Sequence, residues 1–160
     1  MNGDLLVVPN FGDSYSSVVS LSSADGIQLR RFPTYRDISI RTLFVEVTTA
    51  VTNSLFAVGL YDFVSLSALL LFNSISGASP TGLRSVQLDS QFLLRANVYL
   101  LAWAQNQGSS LSIRGTANDP IVSPVRYKAL NALGSGGVLP DNLGGIRQSN
   151  IQSTPIVIFQ

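Results

Sequence analysis

The side chains in this 160-residue sequence that could do acid–base or metal chemistry are nine carboxylates: Asp4, Asp13, Asp25, Asp37, Glu46, Asp62, Asp89, Asp119 and Asp141. Histidine and cysteine do not occur. Without them Ser–His and Cys–His nucleophile pairs cannot be built, nor can imidazole or thiolate zinc sites. Carboxylates alone could cleave a glycosidic bond if two faced each other about 5–10 Å apart, and Asp62 with Asp89 is the pair to inspect. Scattered aspartates are more often turn residues and caps, so no catalytic residue is assigned and no enzyme is expected. Calcium could use oxygen ligands alone, but neither "DNLGG" nor "NDP" has the spaced ligands of a calcium loop. "GASPTG" lacks the Lys-Ser/Thr of a phosphate-binding loop, and "GSGGVLPDNLGG" follows no clear strand and opens no helix. Both read as turns, and no metal or cofactor is expected. Tyr61, Tyr99 and Trp103 could form an aromatic platform for a sugar. Trp103 lies in the most apolar strand pattern, however, and core packing is the favoured reading.

The elements that would position these groups follow from hydrophobic periodicity. Within the most apolar stretch, residues 53–74, the span 54–72 is long enough to cross a bilayer. It contains Asp62 and has no Lys or Arg at either flank, which argues against a membrane span. Nor does it carry a 3.6-residue stripe. As two strands it divides naturally. Phe56, Val58 and Leu60 share one face, with Leu55, Ala57, Gly59 and Tyr61 on the other, so both faces could be buried. "DFVS" connects to a second extended run, "LSALLLFNS".

The same alternation places strands at residues 37–51, 84–88, 97–106 and 109–115. In the first of these, Leu43, Val45 and Val47 are out of phase with Ile38 and Ile40, which predicts a bulge near Arg41 or Thr42. Tyr99, Leu101 and Trp103 share one side of residues 97–106. The short Gly-containing "QNQGSS" predicts a hairpin into residues 109–115. "TPIVIFQ" closes the chain as a further apolar strand opened by Pro155. The one helix-like patch is "SPVRYKALNALGSGG", residues 123–137. Many short strands between Ser, Gly and Pro turns imply an all-β antiparallel β-sandwich with extended N- and C-terminal arms. The expected division is an N-terminal arm with the first strands over 1–32, a β-sandwich core over 33–118, and a C-terminal arm over 119–160.

Composition bears on partners. Hydrophobic residues make up 46% of the chain and charged residues 12%, with one Lys and one Glu; an ordinary soluble domain is about a quarter charged. One reading is a β-rich surface of Ser, Thr, Asn and Gln. The favoured one is a surface covered by other subunits. A net charge of +1 with scattered arginines gives no polyelectrolyte field, so nucleic-acid binding is not expected. The N-terminus lacks the basic and apolar regions of a secretion signal and reads as part of the mature chain. At the other end Pro155, Ile156, Val157, Ile158 and Phe159 are expected to contact an oligomer or partner by strand addition.

Several segments together, "RRFPTYRDISIRTLFVEVTTAV", "FAVGLYDF", "RANVYLLAWAQN" and "LSIRGTA", resemble a jelly-roll-like β-domain found in structural proteins of tailed bacteriophages. The resemblance covers about residues 30–118. It rests on strand patterns with a few marked residues: the "VEVTTA" strand, Val58 to Asp62, and Val98 to Gln105 with Trp103 shifted along. The chain departs from that pattern between Phe63 and Pro80, where "VSLSALLLF" replaces a Gly/Pro-rich loop. The resemblance implies a jelly-roll-like sandwich and a virion protein assembled in the host cytoplasm. Its expected partners are itself, as a homotrimer, and other virion proteins such as the major capsid protein. A capsid decoration (cement) protein is the leading expectation. A tail-fibre or baseplate subunit contacting the host surface, and a carbohydrate-binding β-sandwich, are the alternatives.

Overall fold

The computed structural model of the chain describes residues 6–8, 17–21, 23, 26–108, 110–116, 126–149 and 154–160. Asp4, Asp13, Asp25 and Asp119, the "NDP" segment and residues 123–125 lie outside them. The strands are β1 (Leu6–Val8), β2 (Ser17–Leu21), β3 (Gln28–Pro33), β4 (Ile38–Thr49), β5 (Leu55–Asp62), β6 (Ala68–Ser76), β7 (Gly82–Leu94), β8 (Val98–Gln105), β9 (Leu111–Thr116), β10 (Arg126–Ala129), β11 (Ile146–Gln148), β12 (Thr154–Pro155) and β13 (Val157–Phe159). They form two antiparallel sheets. One runs β2-β9-β4-β7, with β12, β13 and β1 added to it; the other runs β11-β10-β3-β8-β5-β6. From β2 to β9 the chain changes sheet at every connection except the β5–β6 hairpin, and this order is that of a two-sheet jelly roll.

Alternation explains why these residues make these strands. Every second residue of the central strands points between the sheets. Ile40, Leu43, Val45, Phe56, Val58, Leu60, Leu101, Trp103, Leu111 and Ile113 meet there in one buried cluster. The two phases of β4 are reconciled where expected: its register against β7 shifts between Ile40 and Thr42. On the other side the N–H groups of Arg41 and Thr42 both donate to the carbonyl of Gln160, at 2.6 and 2.7 Å. This irregularity turns both Ile40 and Leu43 inward.

The opposite face of the β8 sheet is buried too. Ala57, Tyr61, Leu100, Ala102 and Ala104 lie under Leu139 and Leu143 of the C-terminal region. Residues 119–160, read as an arm, therefore supply in their described part a cover for this face. Residues 17–32 likewise belong to the sandwich, since β2 and β3 are strands of its two sheets.

Two local expectations are corrected. β8 and β9 do not form a hairpin. Both edges of β8 are occupied, by β3 and β5, so the chain leaving Gln105 crosses to the other sheet and pairs with β2 and β4. The helix-like patch is not helical where it is described. Residues 126–129 form β10, which pairs with the edge of β3 at Gln28, Leu29 and Arg30. An open ladder edge offers each residue a backbone partner, which outweighs a weak helix preference.

Candidate assembly surfaces

The two acids singled out for catalysis are not gathered into a site. Asp62 ends β5 and is engaged in its own turn, where its Oδ1 accepts the N–H groups of Val64 at 3.0 Å and Ser65 at 2.6 Å. These bonds, that of the Ser65 backbone foremost, hold its carboxyl below the usual aspartate range. Asp89 is exposed on β7, in the other sheet. Among the described residues no three carboxylates gather where a metal could sit, and no helix is long and apolar enough to cross a membrane.

The turn geometry predicts a pH response. The folded-state pKa of Asp62 is depressed, so its contribution is complete above the unfolded value and is lost as pH falls through the folded one. Asp62→Asn is expected to flatten the acid limb of a stability–pH curve measured by urea unfolding. An unchanged acid limb would show that the turn does not depend on this charge.

The aromatic platform is also corrected. Tyr61, Tyr99 and Trp103 are all buried, and they lie on two different faces of the β8 sheet. Tyr99 and Trp103 fill the space between the sheets, and the hydroxyl of Tyr99 donates to the Arg95 carbonyl at 2.6 Å. Tyr61 points the other way and donates to the Pro140 carbonyl at 2.6 Å, tying the C-terminal cover to β5. Burial, with the nearby Asp141 charge second, raises the Tyr61 pKa well above that of a free phenol.

A raised phenol pKa means stability present below the unfolded value near 10 and lost as pH rises past it. Tyr61→Phe removes both the bond and this alkaline sensitivity. The expected cost at neutral pH is about 1 kcal/mol, read by chemical denaturation. Faster amide exchange over residues 138–143 should accompany it.

The exposed surface is more informative. On the outward face of the β4 sheet, Val18 of β2 pairs with Arg114 of β9, and Glu46 of β4 pairs with Leu83 of β7. Arg114 and Glu46 join the two halves of this row through a forked contact, with Nε to Oε2 and Nη2 to Oε1 each 3.1 Å. The arginine's hydrogen bonds hold the Glu46 carboxyl below its usual range. The next row holds Ile158, Phe44 and Ser85. This part of the face thus presents apolar groups around one ion pair, with Leu83 64% exposed. At one end of the sandwich, Tyr35 and Val64 stand out from loop tips at 86% and 89% exposure. The Tyr35 loop is stapled to residues 95–97, since Thr34 Oγ1 donates to Arg95 O at 3.0 Å and Ala96 N–H to Asp37 Oδ1 at 2.9 Å.

The terminal strand, expected to seek a neighbour, pairs within its own chain. Ile158 and Phe159 lie opposite Phe44 and Leu43, and Val157 and Phe159 are fully buried. Pro155 is buried beside Gly115, while Ile156 and Ile158 are half-buried.

No protein-family model matches the chain, and no curated protein matches it in sequence.

Sequence reasoning missed two features. Arg84 turns its guanidinium onto the β6–β7 connection, donating to the carbonyls of Ser76 (3.0 Å), Ala78 (2.7 Å) and Pro80. "GASPTG" is thus a turn closed by an arginine, and an Arg two residues after such a loop was the available signal. The outward row was missed because it is assembled from four strands, and the strand pattern at 84–88 leaves out Leu83 of β7.

Proposed function

We propose that the chain is a non-enzymatic structural subunit of a tailed-phage particle, most simply a capsid decoration protein that stabilises the head through subunit contacts. The outward face of the β4 sheet carries this reading. A protein with so little charge needs some other source of solubility or a covering partner. Here Val18, Leu83, Phe44 and Ile158 are arranged around one ion pair on the same face. A central apolar patch with an embedded Arg fits a protein contact better than a free surface. The jelly-roll order of the strands and the resemblance of residues 30–118 to phage structural domains point the same way.

Gel densitometry of purified particles tests the proposal. Hundreds of copies per particle are expected for a decoration protein; a few copies would indicate a tail-fibre or baseplate position, and absence from the particle would overturn the reading. Leu83→Lys, placed at an exposed position, is expected to leave the unfolding free energy within about 0.5 kcal/mol of the parent while reducing incorporation at least tenfold. Full incorporation of this variant would free the outward face from any role in assembly.

A further inference from the structure

The eight strands of the jelly roll all lie between Ser17 and Thr116, and the four-stranded β4 sheet is continuous without the chain's last residues, because β4 and β9 meet directly at Val47 and Ile113. Away from that meeting point the two strands diverge, and residues 154–160 fill the wedge between them. Thr154 and Pro155 pair with Thr116 and Gly115 of β9, and Ile156 N–H donates to the Arg114 carbonyl at 2.9 Å. Ile158 and Phe159 then pair with β4, and Gln160 N–H donates to the Thr42 carbonyl at 2.9 Å. Val157 and Phe159 enter the core, with the Phe159 ring centred 6.1 Å from that of Phe72. Gly115 permits the approach: a Cβ there would meet Val19 and lie 2.8 Å from the Thr154 carbonyl.

This arrangement is strand addition within one molecule. Backbone bonds along two edges hold the segment, and alternate side chains drop into pockets. We propose that the wedge between β4 and β9 is a strand-acceptor site that takes residues 154–160 of a second copy of this chain when subunits assemble. The inference rests on the reading of the chain as an assembly subunit. The wedge defines its own occupant, because the segment that fits it has no charged side chain, inserts Val157 and Phe159 into pockets that already exist, and is carried identically by every copy. Exchange makes the same hydrogen bonds and buries the same side chains as self-insertion. Only the entropy of association separates the two, and a high local concentration of subunits offsets that. After exchange the acceptor keeps the same eight strands, since identical residues refill the wedge and the core positions of Val157 and Phe159.

The chain has no cysteine, so a disulfide can report which copy supplies the strand. Phe44 and Ile158 are directly opposite in the β4–β13 pair and both half-buried on the outward face. Opposed residues of an antiparallel pair have Cα atoms about 4.5–5.5 Å apart, within disulfide range. The full-length double variant F44C/I158C is purified at the concentration where the parent oligomerises, checked for an unchanged β-type circular-dichroism spectrum, oxidised, and run denatured without reductant. Exchanged strands give covalently linked chains of two or more copies. Mixed single variants F44C and I158C then give a two-chain species containing both, while either alone gives none. A double variant that runs only as a single internally closed chain overturns the inference. So does a parent that remains monomeric at the highest concentration reached. Neither result touches the particle copy number, which tests the proposed function separately.

Discussion

Replacing Trp103 by alanine is expected to remove about 3–5 kcal/mol of stability, a large share of the 5–15 kcal/mol that holds a typical domain together. Trp103 is 1% exposed and sits on the central strand of its sheet, directly opposite Gln28 on β3 and Val58 on β5. Its indole fills the layer between the sheets, where neighbours held on two hydrogen-bonded sheets cannot collapse into the space it would leave. Its Nε1 is buried without a hydrogen-bond partner among the described residues. The contribution is therefore packing alone, and the unmet donor already lowers it. Trp103→Phe, which keeps much of the volume and deletes that donor, is expected to cost far less than alanine. Urea unfolding followed by far-UV circular dichroism reads both variants. A loss below about 1 kcal/mol for alanine would place the ring at a surface and revive an aromatic binding platform.

The second large effect is expected at Gly59. A Cβ on this residue would lie 2.8 Å from Leu139 Cδ1, 2.9 Å from Leu71 Cδ2 and 3.2 Å from Tyr61 Cε2. The first two atoms are the ends of flexible side chains, so Gly59→Ala should be accommodated by small rotations. Gly59→Val adds two methyl groups where the cover meets the sheet. It should cost about 1–3 kcal/mol and lift residues 136–143 from their seat. Those residues lie along β6 through Ser74 N–H to Gly137 O (3.0 Å), Ala68 N–H to Asp141 O (2.8 Å) and Leu139 N–H to Asn73 Oδ1 (2.9 Å). Limited proteolysis should then cut within 136–143 in the valine variant while the sandwich stays intact. Equal protease resistance in parent, alanine and valine forms would show that the cover does not depend on close approach at Gly59.

The reach of sequence reasoning followed the reach of periodicity. The two faces of β5 were legible because Phe56, Val58 and Leu60 alternate with Ala57, Gly59 and Tyr61, and the structure sends each set to its own cluster. The bulge at Arg41 was legible because it reverses a phase that the side chains record. Alternation says that a segment is a strand but not which strand it joins, and that is why β9 was placed beside β8. The C-terminal cover escaped for a different reason. Leu133, Leu139 and Leu143 reach one apolar face from turns, with no repeat to mark them. Tyr127 and Ala129, read as part of a helical patch, belong to a strand that exists because β3 has an edge to offer. The surface row around Arg114 and Glu46 was beyond reach, since it is assembled from four strands and appears only once their neighbours are known.

Among the described residues the first and last strands are themselves partners, Leu6 standing opposite Phe159 and Val8 opposite Val157. A short peptide linking residue 160 to β1 would turn this pair into one more hairpin, and new ends could be opened at the exposed Val64 turn. Such a circular permutant should keep the jelly roll, yet its final strand would be leashed at both sides to its own body. It would be a folded molecule unable to lend that strand to any other.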